Sequence, residues 1–267
     1  MSAPVSAPDA VRGFIGVLHA ALARAGAGDL LVEIHGTQRR PFSGAAVADL
    51  VQRARAYLRN AGVKPGDRVA LLAPNSARWV ATDLAILFEG AIVVPLYSRQ
   101  DPRELAVMVR DCGPVLVLAA DRQLGDALAG AWPEHCPIVT FSDVYATPPL
   151  AEGEPPHDVR PDDPVTIIYT SGTSGEPKGV VLTRANVDFM LPQTVSSVAR
   201  ITGGRGQDKV FHFLPFCFAG SRIMLWTQLY RGNPLLLSTD LQNLVQEMGA
   251  ADPHYYLNVP AVLERIK

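Results

Sequence analysis

Residues 169–180 read YTSGTSGEPKGV, a run in which Ser and Thr hydroxyls alternate with glycines and are followed by Lys178. Glycines let the backbone approach an anion closely and adopt positive φ, and successive N–H groups can then form a concave nest. The hydroxyls add hydrogen-bond donors, and the lysine adds a mobile positive charge. Because β-branched and aliphatic residues flank the run as VTIIYT and VVL, the sequence predicts a strand, a phosphate-binding loop and a second strand.

The run differs from the common nucleotide-binding loop. That pattern, GxxxxGK[ST], places lysine directly after a glycine and continues into a helix. Here Lys178 precedes Gly179, and the next residues have strand character. This argues against a P-loop kinase or ATPase. An arbitrary Ser/Thr/Gly-rich hairpin can also be a plain turn that binds nothing. The interpretation of this run as a phosphate-binding loop therefore depends on the order of its residues.

That order resembles the signature [YF]TSGTTGxPKGV of the superfamily of acyl-CoA synthetases, firefly luciferases and nonribosomal peptide adenylation domains. Ser174 stands where the signature has threonine and keeps the hydroxyl. Residues 87–119 resemble the family's upstream block. FLPFCFAGSR (213–222) resembles LPLxHxxxR of long-chain acyl-CoA synthetases, and NVPAVLERIK (258–267) resembles VPRVLEKI. The resemblance, to an AMP-forming acyl-CoA synthetase, extends from about Ser43 to Lys267.

The resemblance implies a reaction in two steps. A carboxylate attacks the α-phosphorus of ATP to give an acyl-adenylate and pyrophosphate, and a thiol, usually CoA, then displaces AMP. ATP, Mg²⁺ and CoA are the implied cofactors, and a carboxylic acid is the implied substrate. The nucleotide-binding residues that it implies are Thr170, Ser171, Gly172, Thr173, Ser174, Gly175 and Lys178. No residue of the chain is assigned a catalytic role or a place as metal ligand.

Two residues are candidates for substrate binding. Phe218 stands where many acyl-CoA synthetases have a histidine that borders the acyl or aryl pocket. Arg222 lies four residues later and is open to two interpretations, a substrate contact or an ion pair or surface charge. With Leu214 and Phe216 contributing to an apolar wall, we expect a fatty acid or another apolar acid as substrate. Arg184, where the family often has histidine, is interpreted as a solvated cation.

Alternating strand and helix patterns predict the fold. Buried-strand runs such as RVALLA, AIVVPL and PVLVLA are separated by helical stretches, and Asp101–Pro102 is a typical helix start. This predicts an α/β fold in which helices flank largely parallel sheets. The resemblance implies that these are part of the N-terminal domain of an adenylate-forming enzyme, here incomplete. The proline-rich residues 147–164 predict a linker between a first subdomain, 1–146, and the phosphate-loop part, 165–267.

Composition excludes several other classes. The chain has 267 residues, 48% of them hydrophobic, and a net charge of -2, without the basic and aromatic clusters of a nucleic-acid surface. Its three cysteines form no CxxC pair, so neither zinc nor a disulfide framework is predicted. No apolar run reaches the length of a membrane span, and we expect a cytoplasmic protein. His212 alternates within a strand and is interpreted as a core histidine.

The family's later motifs are missing from these residues. No GYGxTE-like or YRTGD-like segment and no C-terminal lysine segment occurs, and the chain ends within an apparent helix at 261–267. We therefore expect an N-terminal part that is not catalytically competent alone and that self-associates through surface left uncovered. The alternative is a stand-alone, non-catalytic fragment that binds a nucleotide or another protein.

Overall fold

The computed structural model describes residues 13–151, 153–171, 177–203 and 208–257. Within these ranges the chain forms two β-sheets with helices packed on both. The helices, in chain order, are α1 (Gly13–Ala25), α2 (Gly44–Asn60), α3 (Ala77–Phe88), α4 (Pro102–Cys112), α5 (Arg122–Ala131), α6 (Phe141–Ala146), α7 (Arg184–Ile201), α8 (Ala219–Arg231) and α9 (Leu244–Ala251), with a 3-10 turn at Leu241–Asn243. The α/β class predicted from the sequence is confirmed.

The larger sheet has six strands and is parallel apart from one hairpin at its edge. Its strands are β3 (Arg68–Leu72), β4 (Ile92–Leu96), β5 (Leu116–Ala119), β6 (Ile138–Thr140), β7 (Pro164–Ser171) and β8 (Pro177–Thr183). They lie in the order β6-β5-β3-β4-β7-β8, and only the β7–β8 pair is antiparallel. The predicted strand on each side of the phosphate loop is thus present as a hairpin.

The smaller sheet has five strands. They are β1 (Asp29–His35), β2 (Gln38–Ser43), β9 (Val210–His212), β10 (Leu235–Ser238) and β11 (Tyr255–Tyr256). The order is β11-β9-β10-β1-β2, again parallel except for the hairpin β1–β2. Gly36 supplies the positive φ of 61° that the tight turn of this hairpin needs.

Helix α3 lies in the deepest part of the core. Eleven of its twelve residues are buried, including Trp79 and Phe88, and its apolar surface packs on the strands of the larger sheet and on β1. A helix that is apolar on all sides is stable only where other elements surround it. This arrangement joins the two sheets into one core.

The predicted linker at 147–164 does not separate the two sheets. Each sheet contains strands from both sides of it, so the proposed division into 1–146 and 165–267 is corrected. Hydrogen bonds also fix the segment to the core. The buried guanidinium of Arg55 donates to the carbonyls of Glu154 at 2.7 Å and Pro155 at 2.8 Å. In addition, His157 N–H donates to Phe88 O at 2.7 Å. Proline removes donors from a segment but leaves its carbonyls, which a buried arginine can bind.

Candidate functional site

The carboxyl ends of strands from both sheets converge on one face of the molecule. Two neighbouring cavities lie there, and they share Leu96, Tyr97 and Cys217. We call the larger one, about 450 Å³, the hairpin cavity, because Tyr169, Thr170 and Pro177 of the β7–β8 hairpin line it. In open α/β sheets, ligands bind in the crevice beyond the carboxyl ends of the strands.

The hairpin brings two of the predicted nucleotide-binding residues together. Thr170 on β7 is paired with Lys178 on β8, and Ser171 with Pro177. Thr170 and Lys178 are both exposed, and Thr170 lines the hairpin cavity. The remaining predicted loop residues, Gly172, Thr173, Ser174 and Gly175, lie outside the described residues.

Tyr169, the first residue of the signature, is anchored from a helix. Its hydroxyl donates to Asp111 Oδ2 at 2.5 Å, and burial together with that carboxylate raises the tyrosine pKa above its usual range. The ring lies against Gly179 of the neighbouring strand, where an added Cβ would come within 3.2 Å of Tyr169 Cζ. The fixed glycine of the signature therefore has a packing reason. Sequence reasoning missed Asp111, because nothing in its own surroundings marks it as a partner of a residue 58 positions away.

Phe218 stands in the wall of the hairpin cavity. Its side chain is 47% exposed, and its ring centroid lies 5.7 Å from that of Tyr97. The neighbouring Cys217 is buried, and burial raises the pKa of its thiol to about 12, so the thiol is protonated at neutral pH. The cavity wall is thus apolar at this point and carries an aromatic pair.

Arg222 does not reach either cavity, which corrects its assignment as a substrate-binding residue. The residue is only 1% exposed and forms an ion pair with the buried carboxylate of Asp83 on α3. Its Nη1 donates to Thr166 Oγ1 at 2.5 Å, and its guanidinium carbon lies 4.7 Å from the ring centroid of Trp226. Of the two interpretations left open by the sequence, the ion pair is the one found.

Arg184 is likewise in a different environment from the one expected. It is 7% exposed, not solvated, and Nη1 donates to Asp188 Oδ2 at 2.8 Å. The first turn of α7 packs against the start of α1, where Phe14 N–H donates to Asp188 Oδ1 at 2.7 Å. Packing between two helices removed the solvent that a first-turn cation normally has.

His212 is a core residue, as the sequence indicated. Its ring stacks on Phe216 at a centroid distance of 4.6 Å, and Nε2 donates to the carbonyl oxygen of Leu214 at 2.8 Å. Burial lowers its pKa to about 4, so the ring is neutral at physiological pH.

No group of three or more His, Cys, Asp or Glu side chains in the described part of the chain is arranged to hold a metal ion. Among the helices described above, none is long and apolar enough to cross a membrane.

Known proteins were compared with the chain by sequence and by structure. Long-chain-fatty-acid--CoA ligase FadD15 of Mycobacterium bovis is 26% identical over 245 residues, which cover 83% of this chain and 39% of that ligase. VinN in complex with L-aspartate superposes with a TM-score of 0.81 at 21% identity, over 97% of this chain and 70% of VinN. The N-terminal domain of FACL13 from Mycobacterium tuberculosis gives a TM-score of 0.78 at 22% identity, over 96% of this chain and 64% of that domain's chain.

The two structural likenesses show the fold, and the sequence alignment shows that this chain spans well under half the length of the curated ligase. A family match extends over nearly the whole chain, from residue 23 to residue 267. The resemblance drawn from residues 169–180 and their flanking blocks is confirmed: the chain belongs to the AMP-binding enzyme family, whose members similar to it include fatty-acid CoA ligases.

Proposed function

We propose that this chain supplies the phosphate-binding hairpin and part of the acid pocket of an AMP-forming acid–thiol ligase that activates an apolar carboxylic acid. The observation that carries the proposal is the β7–β8 hairpin, in which Thr170 lines a cavity with an apolar aromatic wall and Lys178 is its partner on the neighbouring strand. ATP and a thiol such as CoA are the proposed co-substrates, and Mg²⁺ is the proposed metal.

The residues present fit a polyphosphate. Lys178 is an exposed ammonium across the hairpin from the Thr170 hydroxyl, so a charge and a neutral donor converge on one region of solvent-accessible space. Bound ATP would supply the electrophilic α-phosphorus. The part of this chain would be to neutralise phosphate charge with Lys178 and to orient the phosphate oxygens with hydroxyl and backbone donors of residues 170–178.

The proposed acid is apolar because of the cavity wall. The hairpin cavity is lined by Leu96, Tyr97, Met108 and Phe218, whereas Arg222 lies outside it in a buried ion pair with Asp83. The polar lining residues Gln100 and Glu104 contact each other at the rim. FadD15, by its name, acts on long-chain fatty acids, which agrees with this proposal. A complete enzyme that favoured acetate or an amino acid over longer acyl or aryl acids would contradict it.

The phosphate role of Lys178 is tested by ATP binding to the purified chain. For Lys178→Ala we expect the affinity for MgATP to fall roughly fivefold, since an exposed charge contact contributes about 1 kcal/mol. Isothermal titration calorimetry at low ionic strength measures the change. Lys64→Ala is the matched control, because Lys64 is also exposed but precedes the amino end of β3, whereas the hairpin cavity lies beyond the carboxyl ends of the strands. Equal affinities for the wild-type chain and Lys178→Ala would overturn the assignment.

The alternative, a stand-alone fragment that binds a nucleotide or a protein without catalysis, is distinguished at the gene. Sequencing downstream of codon 267 shows whether GYGxTE-like and C-terminal lysine segments follow in frame. Their presence supports the ligase, and a stop codon with no such segment supports the stand-alone fragment.

A further inference from the structure

The turn between β9 and α8, residues 213–218, forms part of the cavity wall. It carries Cys217, which lines both cavities, and Phe218, which faces Tyr97 in the hairpin cavity. A turn of this kind has no ladder of its own, so its position depends on the groups that bind its backbone. We refer to residues 213–218 as the wall turn.

One side chain from a distant element binds the wall turn at two points. Asn75 Nδ2 donates to the carbonyl oxygen of Leu214 at 2.8 Å, and Phe216 N–H donates to Asn75 Oδ1 at 2.9 Å. The two partners are 139 and 141 residues away along the chain. A carboxamide is the only common side chain of this size that offers a donor and an acceptor side by side at neutral pH.

Other groups reinforce the same carbonyl. Ser221 Oγ–H and His212 Nε2–H also donate to Leu214 O, each at 2.8 Å. The Phe216 ring is held between His212, on which it stacks, and Trp79, whose ring centroid lies 5.0 Å away. The wall turn is thereby fixed at Leu214 and Phe216, immediately before Cys217 and Phe218, the two of its residues that line the hairpin cavity.

The amide of Asn75 is not needed for the helix beside it. The N-cap of α3 is Ser76, whose Oγ accepts from Trp79 N–H at 3.1 Å. The side chain of Asn75 is therefore committed to the wall turn and not to capping.

We propose that Asn75 is a positioning residue, which holds the wall turn so that Cys217 stays buried and Phe218 stays against Tyr97 in the wall of the hairpin cavity. That this cavity binds an acid rests on the proposed function. The two hydrogen bonds by which Asn75 holds the wall turn, which we call the clamp, do not depend on it. The proposal concerns the local order of one turn, so it can be measured on the 267-residue chain without any activity.

The test is the rate at which the thiol of Cys217 reacts with 4,4′-dithiodipyridine, resolved from the other cysteines by peptide mass mapping. Cys112, buried in the core around the larger sheet, reports global opening in the same sample. In Asn75→Asp at pH 7, the carboxylate can still accept from Phe216 but cannot donate to Leu214. We expect Cys217 labelling to accelerate about tenfold relative to the wild-type chain, with Cys112 unchanged.

The same variant provides a pH readout that a general loss of packing would not give. Only the protonated form of the introduced carboxyl group can both donate to Leu214 and accept from Phe216, so these contacts raise its pKa above the ordinary Asp value of about 3.9. As the pH falls from 7 to 4.5 the protonated fraction rises, and the excess labelling of Cys217 should drop to roughly half of its value at pH 7 or less. Three other ionisable groups adjoin this region and are present in both proteins: Glu33, Arg99 and His212. Dividing the Cys217 labelling rate of the variant by that of the wild type at the same pH therefore removes their effect on the rate. Asn60→Asp, at an exposed helix end, is the matched control and should label as wild type does.

Selective acceleration of Cys217 that is reduced by acid supports the clamp. Unchanged labelling of Cys217, equal acceleration of Cys112 and Cys217, or an excess that is undiminished at pH 4.5 would each overturn it. If Asn75→Asp does not fold at pH 7, Asn75→Ser is measured instead and must accelerate Cys217 alone. A chain that fails to bind ATP but passes this test refutes the proposed function and leaves the clamp standing.

Discussion

At the scale of single residues, the burial of His212 sets a pH dependence of folding. Its pKa in the folded chain is about 4, well below the ordinary value of 6.5, so the unfolded chain binds more protons between these values. The stability that the neutral ring provides is fully present above pH 6.5 and is lost as the pH falls through 4. The loss is of the order of 3 kcal/mol in the free energy of unfolding.

We expect His212→Gln, which keeps an N–H donor near the position of Nε2, to abolish this part of the acid destabilisation. Urea titrations of both proteins at pH 7.0, 5.5 and 4.5 measure the difference in slope. The exposed His135 provides the control, because His135→Gln should retain the wild-type pH dependence. Parallel curves for wild type and His212→Gln would contradict the neutral, buried histidine.

Gly179 is a second single-residue case, in which space and not conformation explains the glycine. An added Cβ would lie 2.8 Å from Ile167 Cγ2 and 3.2 Å from the ring of Tyr169, which Asp111 holds in place. We expect Gly179→Ala to lower the free energy of unfolding by about 1–3 kcal/mol, the usual cost of overpacking. Chemical denaturation measures it.

Gly130→Ala is the matched control for that substitution. Gly130 lies in α5 with no atom within 4 Å of the added Cβ, so alanine should stabilise the chain by up to about 1 kcal/mol. If Gly179→Ala were as stable as Gly130→Ala, the close packing of Tyr169 on β8 would be wrong.

At the scale of secondary-structure elements, the Arg222–Asp83 pair joins α8 to α3, and Thr166 extends the link to β7, the strand that enters the phosphate loop. Removing one partner of a buried ion pair leaves an uncompensated charge. We therefore expect Arg222→Met to lower the free energy of unfolding by about 3–5 kcal/mol, and Asp83→Leu added to it to restore much of the loss.

A double-mutant cycle in urea gives the coupling between the two residues. The surface pair Arg110–Glu134 serves as the control, since both side chains are largely exposed and Arg110→Ala should cost less than about 1 kcal/mol. If Arg222→Met cost no more than the surface substitution, the burial of the ion pair would be contradicted.

The elements also show where prediction from sequence succeeds. Asp101 followed by Pro102 was recognisable as a helix start from local order alone, and the Asp101 side chain caps α4 by accepting from Arg103 N–H at 2.8 Å. Partners that come from distant elements had no local signal. Asp83 for Arg222 and Asp111 for Tyr169 are known only from the packing, and so is the contact of α1 with the first turn of α7 that buries Arg184, the cation predicted to be solvated.

At the scale of the whole molecule, the same limit explains the corrected subdomain boundary. Alternating strands and helices predicted parallel sheets, but strand order depends on which edges meet, and β7–β8 joined the sheet formed by β3–β6. The β7–β8 hairpin lies at the edge of that sheet, and its residues Thr170 and Pro177 line the same cavity as Cys217 and Phe218 of the wall turn.

The final prediction concerns turnover by the 267 residues alone. The proposed phosphate contacts, Thr170 and Lys178, are exposed, and such groups contribute about 1 kcal/mol each, so we expect ATP to bind no more tightly than about the millimolar range. Motifs that in the family hold the ribose, adenine and magnesium do not occur in these residues. We therefore expect the adenylation transition state, in which charge develops on the phosphates, to be stabilised even less than bound ATP. Carboxylate-dependent exchange of labelled pyrophosphate into ATP should therefore not exceed that of Lys178→Ala, the control for contaminating enzymes.

Light scattering on the same sample tests the accompanying prediction of self-association. Phe189 and Ile201 on α7 are 75% and 84% exposed, and apolar surface of this kind favours contact between copies, so we expect a mass above 28.7 kDa. Phe189→Ser should shift the mass toward the monomer if α7 forms the contact. The opposite outcome is pyrophosphate exchange well above the Lys178→Ala background by a monomer of 28.7 kDa. It would show that these residues suffice for adenylation and that neither the absent motifs nor self-association limits their activity.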